Sequence, residues 1–236
     1  SLNNERMHRQ IRNSVEPDII GVTNGTFQLE LDFSDIGKTN YMQIESLLLN
    51  STASHFLSNQ KNVKNLSLNL IKGIPLKKAK LTDIIVFAPY LIGIKYIVSK
   101  KFVDCLLDLR VPTDQYELFP TRIKGVSEKF FLFFVPMLET KQIVFSRSLI
   151  YPDIEISKKE KSYIRIDSFE QYCEFLNTNP LVSFQRIVLP KKFSFFDILS
   201  VQGAGDLFFS EKFLELLKTR GVSSLEITDE VNLKFT

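Results

Sequence analysis

The residues predict an α+β protein, with mixed, mostly antiparallel sheets packed against short amphipathic helices. Three observations point there. Apolar runs of strand length recur between turn signals along most of the chain, and helical spacing of apolar residues is confined to a few brief stretches. One phrase, strand then Ser then helix then strand, also stands twice, as KYIVSKKFVDCLLDLRVPTDQYELF (residues 95 to 119) and GDLFFSEKFLELLKTRGVSSLEI (205 to 227).

Taken in order, residues 1 to 16 are polar and read as a loose arm or a short helix. DIIGV (18 to 22) and TFQLELDF (26 to 33) flank Thr23, Asn24 and Gly25, a turn signal that predicts a hairpin. TNYMQIESLLLN (39 to 50) sets Tyr41, Ile44, Leu47 and Leu48 at helical spacing behind a cap at Thr39. VKNLSLNLI (63 to 71) alternates like a half-exposed strand, and DIIVFA (83 to 88) is solidly apolar, like a buried one. QYELFPTRI (115 to 123) and KFFLFFVPML (129 to 138) give two more strands, with FFLFFV as the central one, and QIVFSRSLIY (142 to 151) extends the β-rich region.

SKKEK (157 to 161) reads as a solvated loop. SYIRIDSFEQYCEFLNTNP follows as a strand, a capping box of Asp167 and Glu170, and a helix with Phe169, Tyr172, Cys173 and Leu176 on one face, ended by Pro180. SFQRIVLP (183 to 190) is a strand, and KFSFFDILSV (192 to 201) is a strand or a short helix. On this reading strand exceeds helix.

The two copies of the phrase align without a gap across the helix, superposing Ser99 on Ser210, Phe102 on Phe213 and Leu106 on Leu217. Each serine is placed to cap the first turn of its helix. Phe102, Cys105, Leu106 and Leu109 in one helix, and Phe213, Leu216 and Leu217 in the other, form apolar faces for a sheet. Gly221 ends the second helix, whereas the first runs into Val111 and Pro112.

Composition bounds the class of function. A chain of 236 residues holds one large domain or two packed halves, and 44% hydrophobic with 24% charged residues excludes disorder and fibrous repeats. With 21 Phe and no Trp, the core is expected to be built from Phe rings. The 30 basic and 27 acidic residues are dispersed, so neither nucleic acid nor membrane is expected as a partner. Cys105 and Cys173 lie in apolar periodic stretches and read as buried small hydrophobes of a reducing compartment. No apolar run approaches bilayer length and no signal-peptide core follows SLNNERMHRQIRN, so a cytoplasmic protein is expected. Ser1 stands where an initiator Met would, which leaves a removed export signal open. Sequons at Asn24, Asn50 and Asn65 would matter only in a eukaryotic secretory setting.

Candidate chemistry is thin. Ser99 and Ser210 could be nominated as nucleophiles, but neither lies in G-x-S-x-G, and the only histidines are His8 and His55, both in polar surroundings. Two His and two Cys without ligand spacing do not make a metal site. GAGD (203 to 206) lacks a Walker lysine and reads as a turn; Asp229, Glu230 and Glu155 have no pocket context as acid catalysts. The dense basic run KGIPLKKAK (72 to 80) reads as a solvated loop ahead of a phosphate site. No catalytic, cofactor-binding or metal-binding residue is nominated, no cofactor is expected, and the chain is read as a non-enzyme.

The phrase FFSEKFLELLKTRGVSSLEI resembles the closing motif of a bacterial family of immunity proteins from polymorphic toxin systems, of the myxobacterial type. The strand Phe208 and Phe209, Ser210, the helix from Glu211 to Arg220, Gly221 and the strand Leu225 to Ile227 carry it. VSKKFVDCLL, YELFPTRI and FFLFFV are similar to the family's earlier Ser-helix unit and the strands after it. The resemblance spans Lys95 to Ile227, dividing the chain into residues 1 to 90, without an assigned role, and an immunity-like region from 91 to 236, or one continuous domain from 17 to 236. It implies a cytoplasmic antidote that binds and neutralises a cognate toxin protein without catalysis. A scaffold module forming a homo-oligomer through Phe-rich strands is the alternative, and an enzyme working through carboxylates ranks last.

Overall fold

The computed structural model describes residues 7–23, 25–152 and 158–236; the sequon at Asn24, together with Glu155 and the first residue of SKKEK, lies outside them. Contacts gather the chain into two units, each discontinuous in sequence. One holds Asn13–Pro136 with Phe213–Glu226, and the other Ser1–Arg12 with Met137–Lys212 and Ile227–Thr236.

The first unit is organised by Phe130–Phe134, whose solid run of rings suits a strand covered on both faces. It pairs antiparallel with Ile94–Ser99 on one side and with Glu117–Ile123 on the other. Ile84–Ile85, Lys72–Pro75, Leu29–Asp32 and Phe87–Ala88 complete a mixed seven-stranded sheet. The helix Lys100–Asp108 starts directly after Ser99 and buries Phe102, Val103, Cys105 and Leu106. Phe102 meets Phe133 edge-on at 5.2 Å and Phe213 at 5.6 Å, so residues at matching positions of the repeated phrase touch.

The second unit carries two sheets. In one, His8–Asn13 pairs with Phe208–Ser210, which pairs with Ile198–Val201, and that strand runs parallel to Met137–Leu138. In the other, Ser183–Leu189 lies between Leu149–Tyr151 and the parallel Asn232–Phe235. Their core gathers Phe145, Tyr172, Phe184, Phe193 and Phe208 with Ile187, Leu189 and Leu199.

The α+β class with mixed, mostly antiparallel sheets is what the structure has. Among the described residues, helix of all kinds amounts to 33% and strand to 29%, so strand does not exceed helix. Part of the reason is VKNLSLNLI, which forms two 3₁₀ turns, Gln60–Asn65 and Leu68–Leu70, instead of a strand. Burying Val63, Leu68 and Ile71 needs only single inward contacts, which a coiling backbone supplies as well as a pleated one.

Other elements differ in instructive ways. The stretch taken as a polar arm contains the strand His8–Asn13, because His8 and Gln10 are buried with their polar atoms satisfied. Gln10 donates to the Ala204 carbonyl at 2.8 Å and accepts from the Val231 amide at 3.0 Å. The hairpin at 18 to 33 does not form: Pro17–Ile20 is a helical turn closed by Gly21 at φ +81°, and Leu29–Asp32 pairs with Lys72–Pro75. The helix at Lys38–Ile44 passes into a π-turn at Glu45–Leu49 and begins after Gly37, not at a Thr39 cap. At Phe169–Thr178 the cap is Ser168, with Gln171 reaching back to the Asp167 amide, one residue along from the box read in the sequence. Cys173 on that helix is exposed, since the buried stripe centres on Tyr172 a hundred degrees around; Cys105 is buried as expected.

Candidate functional site

The two serines of the repeated phrase are buried, and each donates to an aspartate just before an apolar strand. In the first unit Ser99 Oγ donates to Asp83 Oδ1 at 2.6 Å, while the Ser99 amide donates to the Asp83 carbonyl at 2.9 Å. In the second unit Ser210 Oγ donates to Asp197 Oδ1 at 2.7 Å, and its amide to the Asp197 carbonyl at 2.8 Å. The antiparallel pairings Ile84 with Val98 and Ile198 with Phe209 set each aspartate beside its serine.

Asp83 is the more completely described of the two. Besides Ser99 it accepts from the Ser223 amide at 2.8 Å, from the Ser223 hydroxyl at 3.0 Å and from Lys101 Nζ at 3.3 Å. Burial pushes its pKa up, but the bonds from Ser99 and Ser223 and the Lys101 charge outweigh that and hold it below the usual carboxylate value. Ser99 also accepts from the Phe102 amide at 3.3 Å, which makes it the N-cap of its helix.

A cavity of about 390 Å³ opens beside this pair, lined in part by Lys100, Lys101, Glu128 and Lys129. The setting resembles a nucleophile beside a base, but the chemistry is poor. A general base works best with a pKa near the operating pH, and a carboxylate held low by four donors is a weak proton acceptor. Ser99→Ala should cost about 1–2 kcal/mol of stability through the lost cap and one lost donor to Asp83. Chemical denaturation of the variant beside the parent chain checks it.

The other residues weighed for chemistry lie apart from this pair. His8 Nε2 donates to the Phe196 carbonyl at 2.5 Å and its ring lies edge-on to Phe235. His55 is exposed, its amide taken by the Thr52 cap. Asp229 is bound by Arg9, whose hydrogen bond lowers its pKa, and Glu230 lies 3.5 Å from Lys158. GAGD is a turn in which Gly203 and Gly205 take φ of +84° and +85°. Among the described residues, no three His, Cys, Asp or Glu gather as a metal ion would require.

What the fold does assemble is an open basic cleft of about 1210 Å³ in the first unit. Register builds it: Asp32 stands opposite Lys72, and Lys72 beside Arg122, across three neighbouring strands. Lys124 and Lys129, on either side of the turn between Glu117–Ile123 and Phe130–Phe134, and Lys64 from the 3₁₀ turn complete five cations against Asp32 and Glu128. Lys72 is ion-paired to Asp35, and Asp32 is held below its usual pKa mainly by hydrogen bonds from Ser34, with help from Lys72 and Lys124. Ile74, Pro120, Val126 and Phe131 supply apolar surface between the charges. Of the basic run KGIPLKKAK only Lys72 and Ile74 line the cleft; Lys80 instead donates to the Asp18 carbonyl.

Among the described residues no helix is long and apolar enough to cross a membrane. Compared with known proteins, the chain matches no family model and no curated sequence.

Proposed function

We propose that this chain is an immunity-type protein that neutralises a cognate bacterial toxin in the cytoplasm by binding it, without turnover. The basic cleft between Lys72, Arg122, Lys124 and Lys129 is the contact surface in this reading, and the partner presents an acidic face with an apolar centre. The observation that carries it is the cleft itself: cations around half-buried Ile74 and Phe131 match the polar rim and apolar centre of recognition surfaces. An excess of positive charge around an apolar floor speeds encounter with an acidic partner and disfavours basic ones. The saturated hydrogen bonding of Asp83 supports binding over catalysis at the neighbouring serine.

Co-expression with the product of the neighbouring gene in a sensitive host tests the reading. Growth should be rescued and a complex should survive purification. The double charge reversal R122E/K124E, at exposed side chains, should weaken the complex by about a hundredfold or more and abolish rescue, with the melting temperature kept. Rescue undiminished by that variant removes the cleft from the reading; no rescue by the wild-type chain removes the antidote.

A further inference from the structure

We infer that the second unit carries a phosphate-binding pocket formed by Arg147, Arg165, Arg186 and Lys234. These four line a cavity of about 240 Å³ whose remaining walls are Ser146, Val188 and Phe235, and no described acidic residue lines it. Its size admits one phosphate group and its nearest waters, not a folded segment.

The sheet register explains the gathering. Val188 stands opposite Lys234 on the parallel neighbour, and Arg186, two residues before Val188, points to the same face. Arg165 follows Ile164, which is bridged to Ile150 beside the same sheet. Arg147 comes from the 3₁₀ turn Phe145–Arg147 that precedes the edge strand Leu149–Tyr151.

Two of the guanidinium groups are held in place. Arg186 Nε donates to the Arg147 carbonyl at 3.1 Å, and no described residue takes a hydrogen bond from its terminal nitrogens. Arg147 donates through Nη1 to the Thr236 hydroxyl. A guanidinium keeps its charge and presents its donors as a fork, so three arginines side by side favour the entry of an anion that neutralises them. A carboxylate has two oxygens and one charge, too few for three forks and an ammonium. A phosphate, with three or four oxygens and nearly two charges, matches the donors and their fork geometry.

The full-length protein titrated with inorganic phosphate at constant ionic strength, its backbone amides followed by NMR, provides the test. Saturable shifts are expected at Ser146, Arg147, Arg165, Arg186 and Lys234. O-phosphoserine should act at the same amides, and its affinity relative to inorganic phosphate distinguishes an esterified ligand from the free ion. Acetate should not saturate them. R165Q/K234Q, at two exposed side chains, should weaken phosphate binding about tenfold or more, while K61Q/R110Q, with the same charge change, leaves it unaltered. R186K keeps the charge, loses the fork and should weaken binding severalfold. Shifts spread over cations throughout the surface, equal saturation by acetate, or undiminished binding by R165Q/K234Q would overturn the pocket.

Discussion

Phe102→Ala should destabilise the first unit by about 4 kcal/mol, the largest effect expected of any single truncation here. Phe102 is 1% exposed, and its ring meets Phe133 and Phe213 edge-on, with interplanar angles of 68° and 74°. Truncation removes the transfer free energy of a whole ring and leaves a cavity between a helix and the central strand. It also ends two ring pairs, each contributing roughly 0.5–1.5 kcal/mol beyond area burial. Native-state hydrogen exchange on the amides of Phe130–Phe134 reports this unit directly, which matters because a chain with two units need not melt in one step. Phe102→Leu, keeping most of the volume, should cost roughly half as much. A loss under about 1 kcal/mol for the alanine variant would contradict the packing described.

Asp83→Ala ranks second, at about 3 kcal/mol. Asp83 is 9% exposed and its carboxylate accepts from two hydroxyls, one amide and one ammonium; alanine leaves all four donors without that acceptor. The effect should depend on pH in a defined direction. Because the folded pKa lies below the ordinary value, the ionised carboxylate stabilises the fold fully above about pH 4 and loses that contribution as pH falls through the folded pKa. The stability gap between wild type and Asp83→Asn should therefore be constant from about pH 6 to 8 and shrink in acid. Urea titrations carried from about pH 8 down to about pH 3 measure it, and a gap that widens in acid would show the pKa to be raised instead.

Local order was legible where the pattern was unambiguous. The run FFLFFV, read as the central strand, is one over Phe130–Phe134, and Ser99 ahead of a 3.6-residue apolar stripe is the helix cap it was read as. The same reasoning missed VKNLSLNLI, because alternation over nine residues also fits successive 3₁₀ turns. It missed the strand His8–Asn13 because Gln10 looks solvated until Ala204 and Val231 are brought to its amide. The aspartates beside the serines carried a signal that could have been used: Asp83 and Asp197 each immediately precede an Ile-Ile or Ile-Leu pair that leads back, by a hairpin, to the serine.

The charged sites had no such signal. Lys72, Arg122 and Lys129, or Arg147, Arg186 and Lys234, are far apart in sequence and lie among acids of nearly equal number, so net charge and local runs are blind to them.

By itself the sequence determined what depends on neighbours along the chain: caps, apolar stripes, the central strands, the Phe-built interior and hence the α+β class. Only the tertiary structure decided which distant strands lie side by side, and with them the basic cleft and the arginine pocket. The physical reason is that hydrophobic periodicity is written over a few residues, whereas electrostatic fields sum over whatever the register brings within a few ångströms.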